Sequence, residues 1–99
     1  MGTQDHDFLK RLRATFEVEA REHIRAMSSG LIALERTTVA DQRLDIIETI
    51  FREAHSLKGA ARAVNLAEIE AICQALESVF AALKHQEVVV SAELYDTLH

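Results

Sequence analysis

The sequence contains no proline and only three glycines, at positions 2, 30 and 59, so almost nothing in it interrupts a helix. A single cysteine, Cys73, excludes an internal disulfide and suits a reducing, cytoplasmic compartment. No apolar run approaches the ~20 residues of a membrane span, and the first residues lack the apolar core of a signal peptide, so no membrane insertion is expected. Positive charge is in deficit. Eleven Lys and Arg against sixteen Asp and Glu leave a net charge of −5, which argues against non-specific nucleic-acid binding. No two histidines stand four residues apart and no second cysteine accompanies them, so no metal site is expected. The chain has no G-x-G-x-x-G and no phosphate-binding loop, so no bound cofactor or ATP site is expected either. Nothing resembles a Ser-His-Asp arrangement: Ser56, next to His55, points about 100° away round a helix.

What is present is a small helical domain. Ninety-nine residues make one domain able to bury roughly 60–65% of its unfolded surface, and 48% hydrophobic with 27% charged residues is a globular composition. Helix formers dominate, and β-branched residues cluster at 88–90. Leu9, Leu12, Phe16, Ala20, Ile24, Met27, Leu31 and Leu34 recur every three or four residues and predict a first helix over 5–36. Gly30 falls inside that pattern and marks either a local cost or close packing. Thr38 with Asp41 reads as a capping pair for a second helix over 39–64, whose apolar arc is Leu44, Ile47, Ile50, Phe51, Ala54, Leu57 and Ala61. Asn65 with Glu68 signals a third helix over 66–85, carrying Ile69, Ile72, Cys73, Leu76, Val79, Phe80 and Leu83. Ser91 reads as the cap of a fourth, with Leu94, Tyr95 and Leu98. The fold class expected is all-α, an up-down-up-down four-helix bundle.

One row of the second helix carries chemistry. Glu48, His55, Gly59 and Arg62 lie just past the edge of its apolar arc, so His55 is propped by the core on one side and open on the other. A neutral imidazole is a nucleophile available near pH 7. Lys58 and Gly59, three and four residues on, share its face; the lysine offers positive charge to a phosphoryl group and the glycine leaves room for a docking partner. From Arg52 to Arg62 three basic residues face Glu53 alone, a basic spot on an acidic domain that suits an anionic ligand or acidic partner. Taken alone, a histidine at a stripe's edge is usually a boundary residue, and His6, His23, His85 and His99 keep that reading.

His-Ser-Leu-Lys-Gly-Ala-Ala at 55–61 resembles the H-x-x-K-G signature of histidine-containing phosphotransfer (HPt) domains of two-component signalling. The resemblance extends along the chain. Phe16-Glu17-Val18-Glu19-Ala20 is similar to the F-x-x-E-A opening of the N-terminal HPt domain in CheA-like histidine kinases, and Gly30-Leu31-Ile32-Ala33-Leu34-Glu35 to the end of their first helix. Residues 50–61 resemble their F-R-x-A-H-x-L-K-G segment almost position by position, and Ala75-Leu76-Glu77 a later L-E pair.

The resemblance implies that His55 is the phosphorylated residue, with Lys58 and Gly59 its phosphate-facing neighbours and Glu77 the carboxylate that orients the ring. It further implies a carrier rather than an enzyme, and a domain that is the N-terminal piece of a longer, cytoplasmic kinase of the plain or the hybrid type. An ATP-binding kinase domain would charge His55, and an aspartate on a response-regulator receiver domain would discharge it, with ATP and Mg²⁺ used by those partners. Gly59, Ala60, Arg52 and Arg62 are the expected partner-binding residues. The chain departs from the family pattern in three places. Arg62 and Asn65 stand where relatives carry glycines, and Gln74 stands where some carry a second histidine, its hydrogen bonding able to substitute. Asn tolerates the left-handed backbone second best to Gly, so the turn can survive. The alternative is a helical interaction or dimerisation module without phosphotransfer.

Overall fold

The computed structural model describes residues 2–98, with side chains described for 5–90, 92, 93, 96 and 97. Three helices account for nearly all of it: α1 (Gly2–Arg36), α2 (Ala40–Ala63) and α3 (Ala67–Leu98). Three-residue connections at 37–39 and 64–66 force each helix to run back along its predecessor. Helix α2 packs closely against both others, and among the described residues the α1 and α3 backbones make no comparable approach to each other. The result is a rod of 69 × 20 × 14 Å.

The core is the seam α2 shares with its neighbours. Ile47, Ile50, Ala54, Leu57 and Ala61 on α2 are buried, and Phe16 and Met27 from α1 and Cys73 and Phe80 from α3 close over them. Burial pushes the Cys73 thiol up, with the nearby Glu77 charge adding to the effect, so it packs as an apolar side chain and not as a thiolate. Gly30 lies against α2 so closely that a Cβ there would meet Cγ1 of Ile50 at 2.7 Å, which settles its place in the pattern as close packing.

The turns are built differently from the sequence expectation. Val39, not Thr38, is the N-cap of α2, and no side chain caps it. Thr37 Oγ1 instead accepts the Val39 amide at 3.3 Å. The open carbonyls of α1 are satisfied by Arg43, whose Nη1 donates to Leu34 O at 2.7 Å and Thr37 O at 3.1 Å while its Nε donates to Glu87 at 2.9 Å. One guanidinium thus joins all three helices. At the other turn Asn65 adopts φ 60°, the left-handed backbone anticipated for it. The Asn65 amide donates to Arg62 O at 3.1 Å and the Leu66 amide to Ala61 O at 2.9 Å, so Asn65 ends α2 rather than capping α3.

The four-helix expectation is corrected to three described helices. Helix α3 passes without a break through 86–91, so Ser91 does not start a new one. The intervening valines lack the propensity to extend a helix alone, but each added residue of an existing helix gains a backbone hydrogen bond. Leu94, Tyr95 and Leu98 have side chains outside the described residues. Part of the expected core is open as well: Leu9, Ile24 and Leu31 of α1 and Ile72 and Val79 of α3 are 45–61% exposed. Accessible surface totals 7360 Å², against about 5,700 Å² for a compact monomer of this mass.

Gly30→Ala should therefore destabilise the domain. Alanine's better helix propensity, about 1 kcal/mol, is outweighed by an overpacked α1–α2 contact costing about 1–3 kcal/mol. Urea melts should show a lower midpoint, and Ile50→Ala in the same chain should relieve part of the loss attributed to Gly30→Ala.

Candidate functional site

Helix α2 sets His55 on its solvent side because the apolar positions Ala54 and Leu57 take the core side, leaving His55 on the flank facing α3. The His55 side chain is 65% exposed. Its Nδ1 lies 3.0 Å from Oε1 of Glu77, which comes from the facing turn of α3 and is itself buried. An ionised carboxylate only accepts, so Nδ1 carries the proton and donates it to Glu77, and the Nε2 lone pair is left free.

Lys58 supplies the second bond to the same carboxylate. Its Nζ donates to Oε2 of Glu77 at 2.9 Å and to Oε1 of Gln74 at 3.0 Å, with only 14% of the side chain exposed. Burial pushes the Glu77 carboxyl up, but the hydrogen bonds from Lys58 and His55 and their charges outweigh it and hold the group below the usual carboxylate range. The buried charge is thereby fully partnered. Sequence reasoning placed Lys58 toward a phosphate; in the resting domain it holds Glu77 instead, and Gln74 holds Lys58 rather than the imidazole.

The remaining expected site residues divide. Gly59, one turn past His55, has nothing within 4 Å of where a Cβ would sit. Arg62 continues the row, 69% exposed and paired with Glu70 at 2.7 Å. Arg52 is exposed one turn before His55, its Nε reaching only the Glu48 carbonyl at 3.5 Å. Ala60 is a correction: five residues place it about 140° from His55, and it packs against the core instead of the exposed row. One pair was missed. His23 Nδ1 on α1 lies 2.5 Å from Oε2 of Glu53 on α2, a half-buried link between those helices that periodicity could not reveal. Among the described residues no group of three or more His, Cys, Asp or Glu gathers to hold a metal ion.

The family model described as the Hpt domain matches residues 11–99. The chain belongs to the Hpt domain family. It is a phosphotransfer signalling domain of the two-component kind. The chemotaxis protein CheA of Listeria monocytogenes is 28% identical to it over 83 residues, 84% of this chain and 13% of that protein. The chemotaxis protein CheA of Bacillus subtilis is 28% identical over 80 residues, 81% of this chain and 12% of the relative. The sensor histidine kinase CheAY of Helicobacter pylori is 26% identical over 92 residues, 93% and 11%. This Hpt domain thus spans about an eighth or less of the length of those relatives. No solved structure matches the chain. No helix among the described residues is long and apolar enough to cross a membrane.

The Glu77 contacts imply a defined acid response. Its folded-state carboxyl titrates below the unfolded value of about 4.3, so the pairing stabilises the fold at pH above that value and is lost as pH falls through the lower folded-state value. Glu77→Gln should flatten the acid limb of thermal stability between about pH 6 and pH 3, measured by circular dichroism at matched ionic strength.

Proposed function

We propose that His55 accepts a phosphoryl group from the ATP-binding domain of a histidine kinase and passes it to an aspartate of a response-regulator receiver. The observation that carries this reading is the exposed His55 ring with Nδ1 tied to buried Glu77. In the forward step the Nε2 lone pair forms the N–P bond as the bond from phosphorus to the departing ADP oxygen breaks. The Nδ1 proton stays on the ring, and Glu77 offsets the positive charge the imidazole acquires. In the return step an aspartate oxygen attacks phosphorus and the N–P bond breaks, restoring the neutral ring. Lys58 can leave Gln74 and turn its ammonium toward the phosphoryl oxygens, keeping its charge near both. ATP and Mg²⁺ belong to the partner domains; this domain binds no cofactor and acts as a carrier. By this reading it is the N-terminal module of a cytoplasmic CheA-like kinase.

Gly59 supports a docking role for the row. A mid-helix glycine costs about 1 kcal/mol relative to alanine, and no neighbour here requires the missing Cβ. The tolerated cost keeps the surface beside His55 flat, and Arg52 and Arg62 flank it with positive charge.

Incubated with ATP and Mg²⁺ alone, the chain should stay unlabelled. Adding a CheA-type kinase domain should attach a phosphate that is labile to acid and stable to base, and a receiver with Mg²⁺ should remove it. His55→Gln should abolish labelling without changing helix content, and Glu77→Ala should slow it about 10–100-fold through lost orientation. Gly59→Ala should stabilise the domain by about 0.5–1 kcal/mol yet reduce the labelling rate. Label persisting in His55→Gln would overturn the assignment, and no labelling by any kinase would favour a helical interaction module.

A further inference from the structure

On the N-terminal side of His55 the α2–α3 face opens into a groove of about 700 Å³. Phe51, Phe80 and Ala81 line it, and Arg52, Lys84 and Glu48 line it with charge. Phe51 and Arg52 are four and three residues before His55, so the groove ends about one turn, roughly 5 Å, from the imidazole. It lies away from the exposed strip of α3, since Ala81 is about 200° round the helix from Val79.

The charges along it are not balanced. Lys84 is hydrogen-bonded to Glu48 across the groove, a contact in which both side chains remain more than 40% exposed. Arg52 makes only its long contact with the Glu48 carbonyl and has no carboxylate partner among the described residues. Two permanent cations therefore face one anion, on a chain whose net charge is −5. An apolar floor between two helices with cations along its edges matches an amphipathic helix with acidic flanks.

We propose that this groove seats an acidic amphipathic helix of a phosphoryl-exchange partner, with a large aliphatic side chain laid between Phe51 and Phe80 and carboxylates set against Arg52 and Lys84. The proposal rests on the phosphotransfer reading of His55. A partner helix held there places the rest of its domain next to the exposed ring, so the groove supplies alignment while Gly59 supplies clearance. The exposed Lys84–Glu48 pair is weak and gives way to a better-placed carboxylate.

Two synthetic peptides of about four helical turns test this, one carrying a leucine stripe flanked by glutamates and the other the same stripe flanked by lysines. Titrated into the ¹⁵N-labelled chain, the glutamate peptide should shift the amides of Arg52, Ala81 and Lys84, with affinity falling as salt rises. The charge-reversed double variant Arg52→Glu/Lys84→Glu should weaken it by about tenfold or more, and Ala81→Glu should block it. His55→Gln should leave peptide binding unchanged, which separates failure of this proposal from failure of the phosphotransfer reading. With a kinase domain, the double variant should raise the KM for the chain as substrate and leave kcat in place. Equal binding of both peptides, shifts confined to Leu9, Ile24, Ile72 and Val79, shifts that follow the chain's own concentration, or no shift at all would each overturn it.

Discussion

Helix α2 holds the molecule together: both neighbours pack closely against it, and among the described residues their backbones do not approach each other in the same way. The buried row at the centre of both seams is Ile47, Ile50, Ala54, Leu57 and Ala61, four of which are 0% exposed. Such a row tolerates little change in volume, since close-packed interiors lose several kcal/mol when a large side chain is truncated. The polar ties are arranged around the same helix. Arg43 gathers the carbonyl end of α1 and Glu87 of α3, and Glu53 takes His23 from α1. The chemistry on α2 is presented by a helix anchored from both sides.

The site itself depends on burying one carboxylate safely. Glu77 is 7% exposed, and an ionised group so placed is tolerated only with full hydrogen bonding. Lys58 and His55 give it one bond to each oxygen. The same arrangement that makes the burial affordable also sets the imidazole tautomer, so a stability requirement and an orientation requirement are met by a single group. No buried side-chain polar atom among the described residues lacks a partner.

Much of this was legible in the sequence. Three helices, their turns to within a few residues, the left-handed Asn65 and the His55–Glu77 neighbourhood all follow from spacing, turn chemistry and the family motif. Other features were not legible for physical reasons. Periodicity gives the direction of an apolar stripe but not how much of its width a neighbour will cover, so Ile24 and Ile72 read as core and lie exposed. Arg43 and the His23–Glu53 pair look like ordinary surface residues until two helices are set in register. Ala60 was judged by size and closeness to His55, when its angle round the helix decides that it packs inward. The end of α3 was judged by local propensity, which is a weak prior beside continuation of an existing helix.

The tight turn at Asn65 makes α2 and α3 behave like the two strands of a stem. His55 and Glu77 each lie eleven residues from Leu66, Lys58 and Gln74 eight, Arg62 and Glu70 four, and Glu48 and Lys84 eighteen. These four cross-pairs on the working face are therefore counted outward from one pivot. A single residue added to the turn would advance α3 by about 1.5 Å and rotate it by about 100° against α2, mismatching all four pairs together. The loop carries no chemistry of its own, yet its length is the most exacting dimension of the site.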